Sequence, residues 1–225
     1  MTPETIIPLF TGADGSYLFA RWERPIVPVV FGLAEETLPT LKGAIEAVVT
    51  LAGHKMAETD PELGANLMVF FIRDWSELTD TPNLDRLIPD LPALVARLTE
   101  QNATQYRFFR FEPHGPIRAC FSFVRMDAAL EKMPAGALCL QQAVQAVLLW
   151  SERAFADRAP LARTPEGHLV LHPDIAAIIA AAYDRVMPPV ATDSAHAFRL
   201  AARVTQHPEA APDAPIHPPE PEPDA

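Results

Sequence analysis

The feature that most constrains this sequence is a pair of alternating segments, Gln105–Glu112 and Ile117–Met126, separated by Pro-His-Gly-Pro. Apolar and polar residues alternate along both segments, which is the periodicity of strands with two different faces. Proline and glycine between such segments favour a reversal of the chain. The pair therefore predicts a β-hairpin, and any fold of this chain must bury at least one face of it.

Further strands and helices precede and follow the hairpin. Ile26–Gly32 and Ala65–Ile72 are predicted strands, and Pro28 assigns the first of them to a sheet edge or a bulge. Thr37–Ala52 and Leu91–Gln101 have apolar residues at helical spacing, and Thr37 is a candidate cap of its helix. After Pro134 the sequence is helical in character, and three helices are predicted: Ala135–Phe155, Pro173–Val186 and Ser194–Val204.

This order of elements predicts the fold class. Strands lie mainly before residue 126 and helices mainly after it, which favours an α+β fold over a doubly wound sheet. We expect one domain over residues 1–205, with a small, mainly antiparallel sheet packed by helices and a helical C-terminal half. Residues 206–225 contain seven prolines and five acidic residues and no Lys or Arg, so we predict a disordered tail that either aids solubility or docks on a partner.

Charge and composition exclude several classes of partner. The chain has 18 basic and 29 acidic residues and a net charge of −11, which disfavours nucleic acid and anionic membranes. The N-terminus lacks a basic region and Pro8 interrupts its short apolar run, so the chain as it begins at Met1 is predicted to be cytoplasmic, or periplasmic if the true start lies upstream. Cys120 and Cys139 could pair, but two buried free thiols are favoured.

The sequence contains no Gly-x-Gly-x-x-Gly, Gly-x-Ser-x-Gly, Cys-x-x-Cys or His-Glu-x-x-His motif, so we predict no cofactor. His168 and His172 would share one face of a helix, but Gly167 and Pro173 favour an extended segment, which separates them by roughly 13 Å. His196 is expected on a solvated helix face. A metal site is therefore only an alternative, with ligands drawn from His54, His114, His168 and His172.

Several segments, taken in order, resemble an alphaproteobacterial family, domain of unknown function 2927. The matching segments are Arg21–Val27, Leu51–Met56, Ala65–Phe71, Gly115–Ala119 and Ala182–Pro189. The resemblance covers about residues 21 to 205. Members of this family mostly look exported, and their long helix carries Glu-Glu-x-x-Gln after a Cys, which is similar to the helix of zincin metallopeptidases.

This chain departs from the family pattern at that helix. After Cys139 it has Gln141 and Gln142 where the family has two glutamates, whereas Gln145 matches the family glutamine. A neutral amide is a poor general base and a poor metal ligand, so hydrolysis from this helix is not expected. The resemblance implies a polar patch of Gln141, Gln142 and Gln145 on a degenerate zincin-like helix. The simpler interpretation is that the glutamines occupy the wetter stripe of a buried helix.

Three functions follow from these observations. The first is a non-catalytic binding or protein-interaction module with a protein partner. The second is an unorthodox metal-dependent hydrolase. The third is a carrier of a small apolar ligand, with a pocket lined by the aromatic residues of the hairpin, Tyr106, Phe108, Phe109, Phe111, Phe121 and Phe123.

Overall fold

A computed structural model describes residues 1–156, 159–165, 167 and 169–206. The described residues form eight α-helices: α1 (Pro3–Ile6), α2 (Leu38–Leu51), α3 (Glu77–Asp80), α4 (Leu84–Leu87), α5 (Leu91–Glu100), α6 (Ala135–Val147), α7 (Pro173–Ala182) and α8 (Ala195–Gln206). They also form eight strands: β1 (Phe19–Ala20), β2 (Pro28–Phe31), β3 (Leu67–Ile72), β4 (Gln105–Phe111), β5 (Ile117–Arg125), β6 (Leu161–Arg163), β7 (Leu169–Leu171) and β8 (Val190–Ala191).

The central element is a four-stranded sheet with the order β2-β3-β5-β4. The predicted hairpin is confirmed, because β4 and β5 pair antiparallel, with a register shift between Arg110 and Phe111. β2 also lies at a sheet edge, as Pro28 predicts. The β2–β3 and β3–β5 pairs are parallel. Long connections make this possible, because α2 lies between β2 and β3, and α3–α5 and β4 lie between β3 and β5.

The α+β class is confirmed. Three of the five pairs of named strands in the described residues are antiparallel, namely β4–β5, β1–β8 and β6–β7. The sheet itself is more mixed than expected, because its two parallel pairs join segments that are far apart in sequence. The predicted strand Ile26–Gly32 shortens to Pro28–Phe31, and the helices predicted over Thr37–Ala52 and Leu91–Gln101 each begin and end within a residue of the observed bounds.

Helices cover both faces of the sheet. The first core lies between one face and the helices α2, α6, α7 and α8, and contains Leu67, Val69, Cys120 and Val124 from the strands. The second core lies between the other face and α3–α5, and contains Phe70, Ile72, Phe121 and Phe123. Alternate residues of β3 and β5 thus enter opposite cores, as strand geometry requires.

The predicted helix Ala135–Phe155 is wrong in length, because α6 ends at Val147. Three side chains, two of them distant in sequence, supply donors to its last carbonyl groups: Trp150 Nε1 to Val144 at 2.8 Å, Trp22 Nε1 to Ala146 at 2.9 Å and the Tyr183 hydroxyl to Val147 at 2.7 Å. The backbone then turns extended, and Leu148 bridges Arg21. These donors satisfy carbonyls that a longer helix would satisfy internally, so the helix can stop inside an apolar stretch.

Some predictions lie outside the described residues. Residues 207–225 of the predicted disordered tail 206–225 lie outside them. Gln206 does not fit that prediction, because it is the last residue of α8, which continues two residues beyond the predicted Val204. Cys120 and Cys139 are free and buried, as expected. Burial raises the pKa of the Cys120 thiol to about 12 and that of Cys139 to about 11. No helix among the described residues is long and apolar enough to cross a membrane.

Candidate functional site

The glutamine-bearing helix α6 faces the sheet. Gln142 is 2% exposed and Gln145 is 5% exposed, so the expectation that all three glutamines lie on a wetter stripe is wrong for these two. Gln141 is half-buried. The reason is packing, because α6 fits against α2 and the first core with almost every residue after Gly136 buried.

Gln142 is held by hydrogen bonds to two strands. The Ser122 hydroxyl on β5 donates to Oε1 of Gln142 at 3.2 Å, and Nε2 of Gln142 donates to Oε1 of Gln105 on β4 at 3.1 Å. Both the carbonyl and the amino group of this amide are therefore engaged. Gln142 acts as a polar link between helix and sheet, not as a group that faces a cleft.

Two buried polar atoms near this link have no hydrogen-bond partner among the described residues: Oε1 of Gln145 and Nη1 of Arg107. Arg107 lies opposite Ser122 in the β4–β5 register, on the face that carries Gln105. Burial lowers the pKa of its guanidinium to about 10, an effect that the nearby Cys120 opposes. Arg107 was not anticipated, although the inward positions of β4, Gln105-x-Arg107, carry polar side chains that a simple core strand would lack.

The chemistry of this cluster is donation and acceptance of hydrogen bonds. Its neutral amides and hydroxyl offer no group that takes up a proton near neutral pH. Its one ionisable group, Arg107, is a cation and cannot ligate a metal ion. The arrangement of Gln105, Arg107, Ser122, Gln142 and Gln145 therefore supports the prediction that α6 does not carry hydrolytic chemistry.

The histidines proposed as alternative metal ligands are placed in separate structural roles. Nε2 of His54 lies 2.9 Å from the carbonyl oxygen of Arg24, its ring packs 5.1 Å from that of Tyr183, and burial lowers its pKa. Nδ1 of His172 accepts from the Asp174 N–H at 3.2 Å as the cap of α7. His114 lies exposed in the hairpin turn.

His168 lies outside the described residues. The segment after it is extended, since Leu169–Leu171 form β7, in agreement with the extended interpretation of His-Leu-Val-Leu-His. Within the described ranges, no group of three or more His, Cys, Asp and Glu side chains is arranged to hold a metal ion.

His196 is buried, and its predicted position on a solvated helix face is wrong. Its Nδ1 lies 2.8 Å from the Tyr17 hydroxyl, and its ring packs 4.2 Å from that of Phe19. Its pKa falls to about 4 because of burial and, secondarily, the nearby positive charge of Arg199. The residue faces inward because α8 packs against α1 and α7 on the side that carries Ala197, Leu200 and Ala201.

The motif residue Asn66 has a structural role. Its Oδ1 accepts from the Val27 N–H at 2.8 Å, and its Nδ2 donates to the carbonyl of Pro25 and to Asp60. Asp60 accepts in addition from Arg24 and from two backbone N–H groups of its own loop. Burial alone would raise the pKa of Asp60, but these donors lower it to about 2. The network fixes the start of β2 against the loop that precedes β3.

The aromatic residues of the hairpin are distributed over both cores. Phe121 and Phe123 are buried in the second core, and Tyr106 and Phe108 pack against it. Phe109 packs against the first core, and Phe111 follows the register shift and is exposed. The six rings therefore do not converge on one pocket.

An open groove lies instead along β2, at the outer edge of the sheet. We call it the edge groove; it has a volume of about 1060 Å³ and lies between β2, α2 and the segment Met56–Glu58. Its apolar lining includes Pro28, Val30, Leu38, Ile45 and Met56. Its charged lining residues are Glu35, Lys42, Glu46 and Glu58, all exposed. Pro28 predicts an edge or a bulge for β2, but the sequence pattern does not predict the groove, which is lined by α2 and residues 56–58 together with that strand.

Comparison with family models, with curated proteins and with solved structures finds no match to this chain. The resemblance to domain of unknown function 2927 and the zincin-like origin of α6 therefore stay predictions.

Proposed function

We propose that this chain is a non-catalytic protein-interaction module on a degenerate zincin-like scaffold, and that it binds its partner through the edge groove. The observation that carries the proposal is the open apolar groove beside β2, whose inner side pairs with β3 and whose outer side has no strand neighbour along Pro28–Phe31 in the described residues. Unpaired strand edges next to apolar surface are a common mode of protein recognition.

The exposed apolar side chains around β2 support this proposal. Leu38, in the lining of the edge groove, is 36% exposed. Phe31, at the end of the same strand, is 46% exposed, and its ring stacks on Phe70 on the side of the second core. Removing apolar surface from water is favourable by about 25 cal/mol for each Å² that is buried, and folding of this chain leaves that surface exposed. A partner that covers them recovers that free energy, so the surface favours association.

The state of α6 supports the non-catalytic half of the proposal. Gln142 is bonded on both sides, and Gln145 is buried against the first core. Neither amide faces the edge groove, whose lining comes from β2, α2 and Met56–Glu58. The glutamines and the groove are therefore separate features, and the groove does not depend on them.

Site-directed photo-crosslinking in the native host tests this function. A photoreactive amino acid replaces Leu38 in the edge groove, and a matched control replaces Leu87, which is 40% exposed but lies in the helical layer on the other side of the sheet. We expect discrete protein adducts from position 38 and few from position 87. Equal labelling from both positions would contradict the proposal.

Elemental mass spectrometry of the untagged protein tests the hydrolase alternative. Bound metals are measured before and after addition of zinc and after treatment with a chelator, and peptidase activity is assayed on an unfolded protein substrate. We expect no stoichiometric zinc and no activity. Chelator-resistant zinc together with peptidase activity would overturn the proposed function whatever the crosslinking result.

A further inference from the structure

A segment of this chain already pairs with the backbone just before β2, on the outer side of that strand. The Ile26 N–H donates to the carbonyl of Lys55 at 2.9 Å, and the Ala57 N–H donates to the carbonyl of Ile26 at 3.1 Å, so residues 55–57 begin a strand beside β2. This segment leaves the edge at Glu58. The position it would occupy alongside Pro28 and Val30 is the edge groove.

The direction of the free backbone groups follows from strand alternation. The carbonyl of Val27 accepts from Asn66 and Leu67, so the backbone of Val27 faces β3. The backbone groups of Pro28 and Val30 then face the groove, because successive residues of a strand point their N–H and C=O groups to opposite edges. Pro28 has no N–H, so the edge offers two carbonyls and the N–H of Val30.

The charges around the groove select the occupant. Three carboxylates, from Glu35, Glu46 and Glu58, stand against one ammonium, from Lys42. A second copy of this chain would bring the same acidic rim, and residues 206–225 carry five acidic residues and no Lys or Arg. Both are therefore repelled, whereas a segment with basic side chains is attracted.

We propose that the edge groove binds an extended peptide segment of a partner protein, in which basic residues flank β-branched or other apolar ones, by addition of a strand to β2. This inference rests on the proposed function and names the chemistry of its partner. Alternate side chains of the bound strand enter the apolar floor formed with Leu38, Ile45 and Met56. Basic side chains at the rim lie near Glu35, Glu46 and Glu58.

The test selects peptides from a displayed library of random linear sequences on the full chain and measures the affinity of the enriched sequences by calorimetry. We expect enrichment of Lys or Arg next to Val, Ile or Leu. Val30→Pro removes the one N–H that the edge donates, and Pro28 already occupies the same kind of outward position. We expect this variant to weaken binding about tenfold or more.

Charge reversal provides a second variant that does not alter the backbone. Glu35→Lys, Glu46→Lys and Glu58→Lys together change only exposed side chains. The matched control reverses three exposed carboxylates elsewhere, Asp85, Glu100 and Glu131, and makes the same change in net charge. We expect about a tenfold loss of affinity in the groove variant, little change in the control and weaker binding at high salt.

N-methylation of alternate backbone nitrogens in the enriched peptide tests strand addition directly, and we expect it to abolish binding. Selection of acidic peptides, an absence of enrichment, or equal binding by wild type and both groove variants would overturn the inference. Crosslinking from position 38 to a partner that still binds Val30→Pro and the charge-reversed protein would leave the proposed function standing and reject strand addition. Equal crosslinking from positions 38 and 87, or chelator-resistant zinc together with peptidase activity, would reject the proposed function itself.

Discussion

The Tyr17 hydroxyl and Nδ1 of His196 lie 2.8 Å apart in the first core, joining the N-terminal segment to α8. The other ring nitrogen of His196, Nε2, is buried without a hydrogen-bond partner in the described residues. A charged imidazolium would therefore be poorly solvated at this position. Folding therefore favours the neutral form of the His196 ring, and this preference makes the stability of the protein depend on pH.

We expect the free energy of unfolding to fall as the pH falls from about 6.5 to about 4. The folded pKa of His196 is about 4, below its ordinary value of 6.5, so the unfolded chain binds more protons in this window and stability is lost toward acid. The loss attributable to His196 is up to about 3 kcal/mol. Urea denaturation of wild type and His196→Phe across this range measures it; parallel curves for the two proteins would contradict the assignment.

We expect Gly32→Ala to destabilise the protein by more than about 2 kcal/mol. Gly32 has a φ of +73°, and a Cβ built on it would lie 2.0 Å from the carbonyl oxygen of Phe71. Gly53→Ala is the matched control, because Gly53 has a φ of +62° but no heavy atom within 4 Å of a new Cβ, so it should cost only about 1 kcal/mol. Thermal unfolding of both variants separates steric overlap from backbone strain, and equal costs would argue against the close approach.

We expect opposite effects from two leucine substitutions on α6. Gln145→Leu removes a buried acceptor that has no partner among the residues the structure describes, and it should leave the free energy of unfolding unchanged or raise it by up to about 1 kcal/mol. Gln142→Leu deprives Ser122 and Gln105 of their shared partner and should cost about 1 to 3 kcal/mol. Chemical denaturation measures both. A loss on Gln145→Leu as large as that on Gln142→Leu would mean that Gln145 has a bonding role.

We expect Asp60→Asn to cost about 3 kcal/mol, since it removes the buried negative charge that faces Arg24 and Asn66. Glu62→Gln is the control, because the Glu62 side chain is 60% exposed and its ion pairs with Arg24 and Arg118 should contribute less than about 0.5 kcal/mol. Calorimetric unfolding near neutral pH compares the two. Similar melting temperatures for the two variants would show that the Asp60 network adds little stability.

The parts of the fold that local pattern determines were predictable. The hairpin β4–β5, the buried strand β3 and the amphipathic helices α2 and α5 follow from alternation or helical spacing within a single segment. The end of α6 was not predictable in this way, because Trp22 and Tyr183, which are far away in sequence, supply donors to its last carbonyls. Periodicity within one segment carries no information about such donors.

In the candidate site, too, local pattern predicts some features, and packing between distant segments determines the others. The edge position of β2 could be predicted from Pro28, whereas the edge groove depends on how α2 and residues 56–58 pack around that strand. The prediction of a solvated His196 is wrong because it rests on the polar character of histidine, whereas the spacing of the apolar residues on α8 places His196 on the buried side. The prediction that Gln142 and Gln145 lie on a wetter stripe is wrong because the polar residues that face α6, such as Gln105 and Ser122, lie on strands that local sequence pattern does not place beside that helix.

The pairing of β1 with β8 has a consequence for how the chain is made. Phe19 and Ala20 meet Val190 and Ala191, and the Arg21 N–H donates to the carbonyl of Pro189. During synthesis, β1 therefore cannot pair until β8, more than 160 residues later in the sequence, has left the ribosome. Because α1 also packs against α8, the first helix and the last described helix lie side by side, and a chain joined there and opened at the exposed turn around His114 would keep each of the described strands intact.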